Sequence, residues 1–295
     1  MQRSILLAAV LALLAARAHA EVPSVCAAPV NLAEIDQPLP RTDAKLATKQ
    51  PLTVVAIGSS STWGVGASSP ANSYPSRLAV ELGARFPQSV IKVLNRGVNG
   101  EIEQQMAARF DRDVVPEHPD LVIWQVGTNS VIHGQDLTHY RPALEGDIAR
   151  LKSTGADVLI MDMQYAPKVL AHPDYQDMLR KIDIAAHDED VAVFHRFATM
   201  RYWITSGRLS FTALLAPDQL HMNDLSYRCV ASLLAEAIER SAHSALARAP
   251  SVPTLLKTHL PPPGGNPSVA ALPPPKASPA IFESPAAAPR SDASN

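Results

Sequence analysis

The 295-residue chain lacks the patterns that mark metal, dinucleotide and nucleic-acid sites. It has two cysteines and no Cys-x-x-Cys, His-x-x-x-His or His-Glu-x-x-His spacing, so we expect no metal ion. The segment from Gly58 to Gly66 does not spell Gly-x-Gly-x-x-Gly, so no dinucleotide, and no cofactor of any kind, is expected. The formal net charge is −2 without a block of lysine or arginine, which argues against a nucleic-acid partner.

Long apolar runs are also scarce, and the one at the start of the chain has the features of a secretory signal. A basic start, an apolar run over residues 5–14 and the small-residue site Ala18-His19-Ala20 predict a signal peptide over residues 1–20. The run is too short to span a bilayer comfortably, and Val25 is too bulky for a lipid-attachment site at Cys26. We therefore expect an exported protein, periplasmic or secreted, with no stable membrane insertion after signal cleavage.

Composition divides the rest of the chain into three parts. Residues 21–50 contain four prolines and little periodicity, and we expect an extended N-terminal lead-in. Residues 51–247 form the expected catalytic domain. Of the 26 prolines in the chain, 12 fall between Pro250 and Asn295, so residues 248–295 are interpreted as a Pro/Ala-rich disordered tail.

Cys26 and Cys229 have two interpretations. In an exported protein a pair of cysteines is a plausible disulfide, which here would tie the lead-in to the last predicted helix. The alternative is two free thiols, one of them a small buried hydrophobe in that helix.

Strand-like and helical patterns alternate within the catalytic domain. Apolar runs predict strands near 53–58, 90–95, 120–127, 156–163 and 191–195. Helical patterns lie near 73–86, 101–112, 137–154, 175–187 and 223–246, with Asn223 as the expected N-cap of the last. This alternation predicts an α/β fold in which helices cover both faces of a parallel sheet.

Chemically useful residues follow these predicted strands. Ligands of parallel α/β sheets bind outside the carboxyl ends of the strands, so a site is expected there. The residues comprise a serine, a glycine amide, an asparagine amide and an Asp/His pair, which are the parts of a nucleophile, an oxyanion hole and a base. They occur in four segments: Gly58–Thr62, Asn95–Glu101, Gly127–Ser130 and Asp218–His221.

These four segments make the chain resemble the SGNH (GDSL-type) hydrolases over about residues 53–245. All four motif blocks occur in the family's order, with Gly58–Thr62 where the family has Gly-Asp-Ser-Leu-Thr. Four residues depart from the pattern. Ser59 replaces the usual Asp, Ser130 replaces the Asp that often follows the asparagine, and Gln219 and Met222 are less typical neighbours of the base. The resemblance implies a three-layer α/β/α sandwich with a flavodoxin-like five-stranded parallel sheet and a central first strand.

The resemblance also implies a role for each matched residue. Ser60 aligns with the nucleophile, with Ser59 as the alternative, and Asp218 and His221 match the Asp-x-x-His pair of a catalytic triad. The backbone amides of Ser60 and Gly100 and the side chain of Asn129 would form the oxyanion hole.

Each candidate also has a purely structural interpretation. His221 could be a surface histidine and Asp218 a cap for a local turn. Asn129 could cap the helix after its strand, and Gly100 could serve only turn geometry. His195, at a predicted strand end, is the rival base, but no carboxylate lies three residues from it.

The expected function is an exported serine esterase that hydrolyses short acyl esters. Its expected partner is an acylated small molecule or saccharide, plausibly an O-acetylated polysaccharide of the cell envelope or the environment. Two alternatives stay open: a saccharide O-acyltransferase with the same triad, and a non-catalytic carbohydrate-binding protein with the same fold.

Overall fold

The computed structural model describes residues 22–248, which contain a five-stranded parallel sheet. The predicted signal peptide and all but the first residue of the predicted tail lie outside the described residues. The strand order is β2-β1-β3-β4-β5, and every neighbouring pair is parallel. The strands are β1 (Leu52–Gly58), β2 (Ile91–Gly97), β3 (Leu121–Gln125), β4 (Asp157–Met161) and β5 (Ala192–Phe194). Each lies within two residues of its predicted position, so these predictions are confirmed.

Helices connect the strands, and short 3-10 turns occur at Ser24–Cys26, Val30–Leu32, Pro70–Asn72 and Val115–Glu117. Up to β3 the helices are α1 (Pro40–Ala47), α2 (Ser60–Trp63), α3 (Tyr74–Arg85), α4 (Glu103–Ala107) and α5 (Phe110–Asp113). After β3 they are α6 (Thr128–Ile132), α7 (Tyr140–Lys152), α8 (Pro167–Leu170), α9 (Tyr175–Asp188), α10 (Arg196–Thr205), α11 (Phe211–Leu214) and α12 (Asp224–Arg248).

The helices lie on both sides of the sheet, which confirms the three-layer α/β/α sandwich. On one side α12 packs against α3 and α1, and on the other α7 packs against α9. Strand β1 is apolar because both faces of the sheet are covered at its position: Val54, Val55, Ala56 and Ile57 are fully buried. The expectation of a central first strand is wrong, because the middle strand of the five is β3. The order in which successive strands are added reverses at β1, which lies between β2 and β3. The carboxyl end of β1 is therefore the position where this class of fold binds its ligands.

The expectation of an extended lead-in is wrong for residues 40–47, which form α1. Pro40 at its first position suits a helix start. The carboxylate of Asp157, at the start of β4, accepts hydrogen bonds from the backbone N–H groups of Arg41 (3.3 Å) and Thr42 (2.7 Å). Asp120 adds an ion pair with Arg41 (2.7 Å). Pro40 is a local start signal, but both acids that fix the start of α1 are more than 75 residues away in sequence, so their contribution cannot be seen in the lead-in alone.

Two further helical predictions need correction. The helix expected over 101–112 is two helices, α4 and α5, because the chain turns at Arg109 and its side chain reaches inward to Glu101 and Gly58. Helix α10 was not predicted. Its buried face is a single stripe, but it is not uniformly apolar, because it carries Arg196 and Thr199 beside Met200 and Trp203.

The last helix, α12, is linked covalently to the N-terminal lead-in. The side-chain oxygen of Asn223 accepts hydrogen bonds from the N–H groups of Leu225 (3.1 Å) and Ser226 (3.2 Å), so the predicted cap is confirmed. Five residues into α12, Cys229 forms a disulfide with Cys26, across a sequence separation of 203. The lead-in is therefore part of the folded body.

Candidate active site

Ser60 is the first residue of α2, directly beyond the carboxyl end of β1. Its hydroxyl lies 2.8 Å from Nε2 of His221, although 161 residues separate the two in sequence. The sharp strand-to-helix turn requires glycine at position 58, because a Cβ there would lie 2.1 Å from Oγ1 of Thr62. The turn leaves Ser60 8% exposed at the surface of the sheet edge.

The two neighbouring serines face other partners. The hydroxyl of Ser59 donates to Oε1 of Gln125 on β3 (2.9 Å), and that of Ser61 donates to Oε1 of Gln164 (3.3 Å). Both serines are essentially buried. Of the three consecutive serines, Ser60 is therefore the one placed against a histidine.

Asp218 and His221 lie in the loop before α12, whose two ends are joined by an antiparallel bridge between Leu215 and Met222. Nδ1 of His221 hydrogen bonds with Oδ2 of Asp218, while Oδ1 of Asp218 accepts from the backbone N–H groups of Leu220 and His221, both at 3.0 Å. Gln219, between them, adopts a left-handed conformation with φ of 58°. Burial acts to raise the pKa of Asp218, but the hydrogen bonds from His221 and from the two amides outweigh it and hold that pKa below its usual value. The carboxylate thus stays ionised next to the imidazole, as an orienting group must.

Gly100 lies in the loop after β2. Its φ is +80°, and a Cβ added there would meet nothing within 4 Å. The left-handed backbone conformation is by itself enough to favour a glycine here.

Asn129 lies within α6, whose N-cap is Gly127, so the interpretation of Asn129 as a cap is wrong. Its Nδ2 donates one hydrogen bond to the carbonyl of Glu101 (2.7 Å). A side-chain amide carries two N–H donors, so the second is free to face a ligand.

Sequence reasoning missed the polar residues that hold these loops together. Gln125 ends β3, and its Oε1 accepts from the backbone N–H of Ser59 (3.0 Å) as well as from its hydroxyl. Oε1 of Gln164, just after β4, also accepts from the hydroxyl of Thr128 (3.0 Å), while its Nε2 donates to the carbonyl of Leu220 at 3.5 Å. The available signal was a glutamine at the carboxyl end of two otherwise apolar strands.

Arg109 makes a second set of connections behind the site. It is 5% exposed, and its guanidinium contacts Glu101 (2.7 Å) and Asp113 (2.9 Å) and donates to the carbonyl of Gly58 (3.2 Å). Glu101 also supplies the carbonyl that Asn129 contacts. One buried cation therefore joins the loops that carry Ser60 and Asn129.

His195, the rival base, faces two carboxylates instead of a serine. Its Nδ1 lies 3.9 Å from Asp162 and 3.8 Å from Asp183. Burial raises the pKa of Asp162 to about 7, and an N–H of α10, from Phe197, hydrogen bonds to it (2.8 Å). The structure therefore places His195 at the start of α10, in a cluster with the carboxylates of Asp162 and Asp183.

Beside Ser60, one large aromatic side chain is exposed. Trp63 ends α2, one turn after Ser60, and is 58% exposed. Its backbone is fixed, because Asn95 donates to the carbonyls of Thr62 (2.8 Å) and Trp63 (3.3 Å). An exposed indole at this position offers a flat apolar face on which a ligand can stack.

Among residues 22–248, no group of three or more His, Cys, Asp or Glu side chains is placed to hold a metal ion. In the same part of the chain, no helix has the length and apolar character needed to cross a membrane.

Comparison with known proteins identifies relatives of this fold. The model of a family described as "Non-GDSL lipase-like family" matches residues 25–244. An acetylxylan esterase from Geobacillus stearothermophilus is 36% identical over 56 residues, which is 19% of this chain and 26% of that protein. The chain thus aligns with only about a quarter of this curated relative.

Solved structures give the same result for the fold. A two-domain esterase active on acetylated mannans, co-crystallised with mannopentaose, has a TM-score of 0.59 at 20% identity, over 72% of this chain and 56% of that chain. The Geobacillus stearothermophilus acetylxylan esterase Axe2 has a TM-score of 0.53 at 20% identity, over 63% of this chain and 94% of that chain. TesA has a TM-score of 0.54 at 18% identity, over 64% and 99%. At 18–20% identity these structures show a shared fold. Together with the family model, they confirm the resemblance drawn from the four motif blocks.

Proposed function

We propose that this chain, which belongs to the Non-GDSL lipase-like family, is an exported serine esterase. Its proposed reaction is removal of short acyl groups, acetyl above all, from a polysaccharide. The observation that carries the proposal is the continuous contact from Ser60 through His221 to Asp218. These three side chains are a nucleophile, a base and an orienting carboxylate in hydrogen-bond order.

The proposed reaction proceeds in two halves. Nε2 of His221 accepts the proton of the Ser60 hydroxyl as Oγ attacks the acyl carbon, and then gives this proton to the leaving sugar oxygen, which departs as a hydroxyl. In the second half a water molecule gives a proton to the same nitrogen and attacks the acyl carbon. The proton passes to Oγ of Ser60 as the acyl group leaves as a carboxylic acid. Asp218 keeps the proton on Nδ1 and stabilises the imidazolium that forms.

The negative oxygen of each tetrahedral intermediate needs donors that are in place before the reaction. The amide of Ser60, at the first position of α2, has no partner within its own helix. With the amide of Gly100 and the free N–H of Asn129, it would form a three-donor oxyanion hole. Loss of the Asn129 donor should reduce kcat about 100- to 1,000-fold.

Three observations favour a saccharide as the alcohol part of the substrate. Two of the similar proteins are described as acting on acetylated xylan or acetylated mannan. The exposed Trp63 offers a sugar ring an apolar surface one turn from Ser60. Export, proposed from residues 1–20, would bring the enzyme to polysaccharides, and the Cys26–Cys229 disulfide suits an oxidising compartment.

The test is a chain-length series of p-nitrophenyl esters, run beside acetylated xylan and acetylated mannan. We expect turnover highest for acetate, release of free acetate from a polysaccharide, and labelling of Ser60 by a fluorophosphonate probe. Ser60→Ala should abolish both labelling and turnover, whereas the neighbouring Ser59→Ala should keep them. Labelling that persists in Ser60→Ala, or transfer of acetate to a sugar without its release, would contradict the proposal.

A further inference from the structure

Glu103, the first residue of α4, is a buried acid that the proposed reaction does not use. It is 7% exposed. Its Oε1 accepts a hydrogen bond from the backbone N–H of Gly127, and its Oε2 accepts one from the hydroxyl of Ser130. Gly127 and Ser130 are the two ends of the four-residue segment that contains Asn129. One carboxylate therefore holds both ends of this segment.

A buried carboxylate is costly unless donors satisfy it. Here the partners are neutral donors, an amide and a hydroxyl, and a second hydroxyl lies close by. The hydroxyl of Tyr140 is buried, which raises its pKa well above the usual value, and the charge of Glu103 raises that pKa further. Tyr140 thus keeps its proton beside the carboxylate. The chain retains this costly group at the segment that positions Asn129.

This segment cannot hold its own shape. It leaves β3 through Gly127 at φ of +91°, where an added Cβ would lie 2.8 Å from Met163 and 2.9 Å from Ile182. The helix that follows, α6, has five residues. Helices this short are unstable unless other contacts fix them. The two hydrogen bonds to Glu103 supply such contacts from α4.

The same part of the chain also orients the amide of Asn129. The carbonyl of Glu101 accepts from its Nδ2 at 2.7 Å. Glu101 and Glu103 are two residues apart, so backbone and side chain of one short segment act on Asn129 together. An oxyanion donor is effective only when it is aimed at the place where the charge develops.

We propose that Glu103 is a positioning residue for the oxyanion hole. It holds residues 127–130 so that the second N–H of Asn129 faces the substrate oxygen. This inference rests on the proposed function, because it needs Asn129 as a donor in the transition state. Glu103 also places a negative charge behind that donor, which by itself would weaken oxyanion binding. If Glu103 acts mainly by positioning Asn129, removal of its charge should lower kcat. If its negative charge dominates, removal should raise kcat.

Three variants separate these effects: Glu103→Ala, Glu103→Gln and Asn129→Ala, with p-nitrophenyl acetate as substrate. We expect Glu103→Ala to lower kcat about 10-fold or more with KM changed less than about twofold, since the loss falls on the transition state. Glu103→Gln keeps the size and one acceptor, so its kcat should lie between those of Glu103→Ala and the wild type. A rise in kcat for Glu103→Gln would mean that charge dominates and would overturn the proposal.

The double variant Glu103→Ala/Asn129→Ala tests whether Glu103 acts through Asn129. Its kcat should match that of Asn129→Ala within about twofold, because a donor that is absent cannot be misplaced. If the fold-losses in kcat of the two single variants multiply in the double variant, the proposal is overturned. Should Asn129→Ala itself be harmless, both the oxyanion role in the proposed function and this inference fail. A large loss in Asn129→Ala with none in Glu103→Ala rejects the inference alone.

Glu117→Ala is the matched control. Glu117 is also an acid with two partners, Lys92 (3.1 Å) and Arg96 (2.6 Å), but it does not contact residues 127–130. We expect it to keep the wild-type kcat. Thermal unfolding of every variant shows whether it is folded at the assay temperature, and the split between kcat and KM is read on folded protein. A loss in Glu117→Ala as large as that in Glu103→Ala would indicate general damage and overturn the proposal.

Discussion

Removal of the Cys26–Cys229 disulfide should lower the melting temperature of this protein by about 10 °C or more. Cys26 lies in a 3-10 turn of the lead-in and Cys229 in α12, and both are fully buried. The bridge closes a loop with a sequence separation of 203. An unfolded chain with so long a loop loses much conformational freedom when it is bridged.

The magnitude follows from the length of that loop. In the chain-entropy model a loop of about 200 residues is worth about 5 kcal/mol in free energy of unfolding at 25 °C. For a domain of this size, 1 kcal/mol corresponds to about 2–4 °C in melting temperature. The contacts around the bridge do not depend on it, such as the hydrogen bond from Nε1 of Trp203 to the carbonyl of Cys26 (3.1 Å). They should keep the lead-in docked in the native state after the bridge is removed.

Calorimetry of the wild type, of Cys229→Ala and of Cys26→Ala/Cys229→Ala provides the test. Alanine leaves only a small cavity at a buried cysteine, so the loss of the bridge dominates. The single and double variants should lose nearly the same amount, because either change opens the loop. A shift below about 3 °C in the double variant, or two freely alkylatable thiols in the native exported protein, would refute the reasoning.

Three further predictions follow from the site and its surroundings. His221→Ala should reduce ester turnover by orders of magnitude and Asp218→Asn by a comparable or smaller factor, whereas His195→Ala should keep it; an inactive His195→Ala beside an active His221→Ala would show that the base is misassigned. Burial raises the pKa of Asp162 to about 7, so its native-state preference for the neutral form stabilises the fold at low pH and is lost as pH rises towards 7. Asp162→Asn should therefore raise the melting temperature relative to wild type by a few degrees more at pH 8 than at pH 5, and an equal difference at both pH values would contradict this reasoning. Trp63→Ala should raise KM for acetylated xylan or mannan about 5- to 10-fold and leave p-nitrophenyl acetate turnover within about threefold. Equal losses on both substrates, or losses only on longer acyl chains, would assign Trp63 to something other than the sugar.

The sheet and the candidate site were predictable from local sequence for a physical reason. Strands buried on both faces must be continuous apolar runs, and parallel strands must deliver their following loops to one edge. The motif residues after β1, β2 and β3 therefore meet even though the chain between them is long. The choice of Ser60 among three consecutive serines, and its pairing with His221, come from the resemblance of the four motif blocks.

The features that sequence missed depend on partners far away in the chain. Pro40 suits the start of helix α1, but the carboxylate of Asp157 that satisfies the amides of Arg41 and Thr42 comes from β4, and no residue near Pro40 indicates it. Glu103 and Arg109 look like ordinary charges on an amphipathic helix, yet both are buried and hold site loops. A local pattern records periodicity and turn chemistry, but it does not record which distant carbonyl or amide a charged side chain will reach.

The separation of 161 residues between Ser60 and His221 makes any esterase activity a property of the finished chain. During synthesis Ser60 emerges first, at the end of an interior strand of the sheet. His221 follows only after all five strands are made, about 10–30 s later at ordinary rates of translation. A nascent chain, or a fragment cut anywhere between the two residues, carries Ser60 without His221. Such a fragment lacks the base of the proposed reaction, so it should not hydrolyse the esters of the cell that makes it.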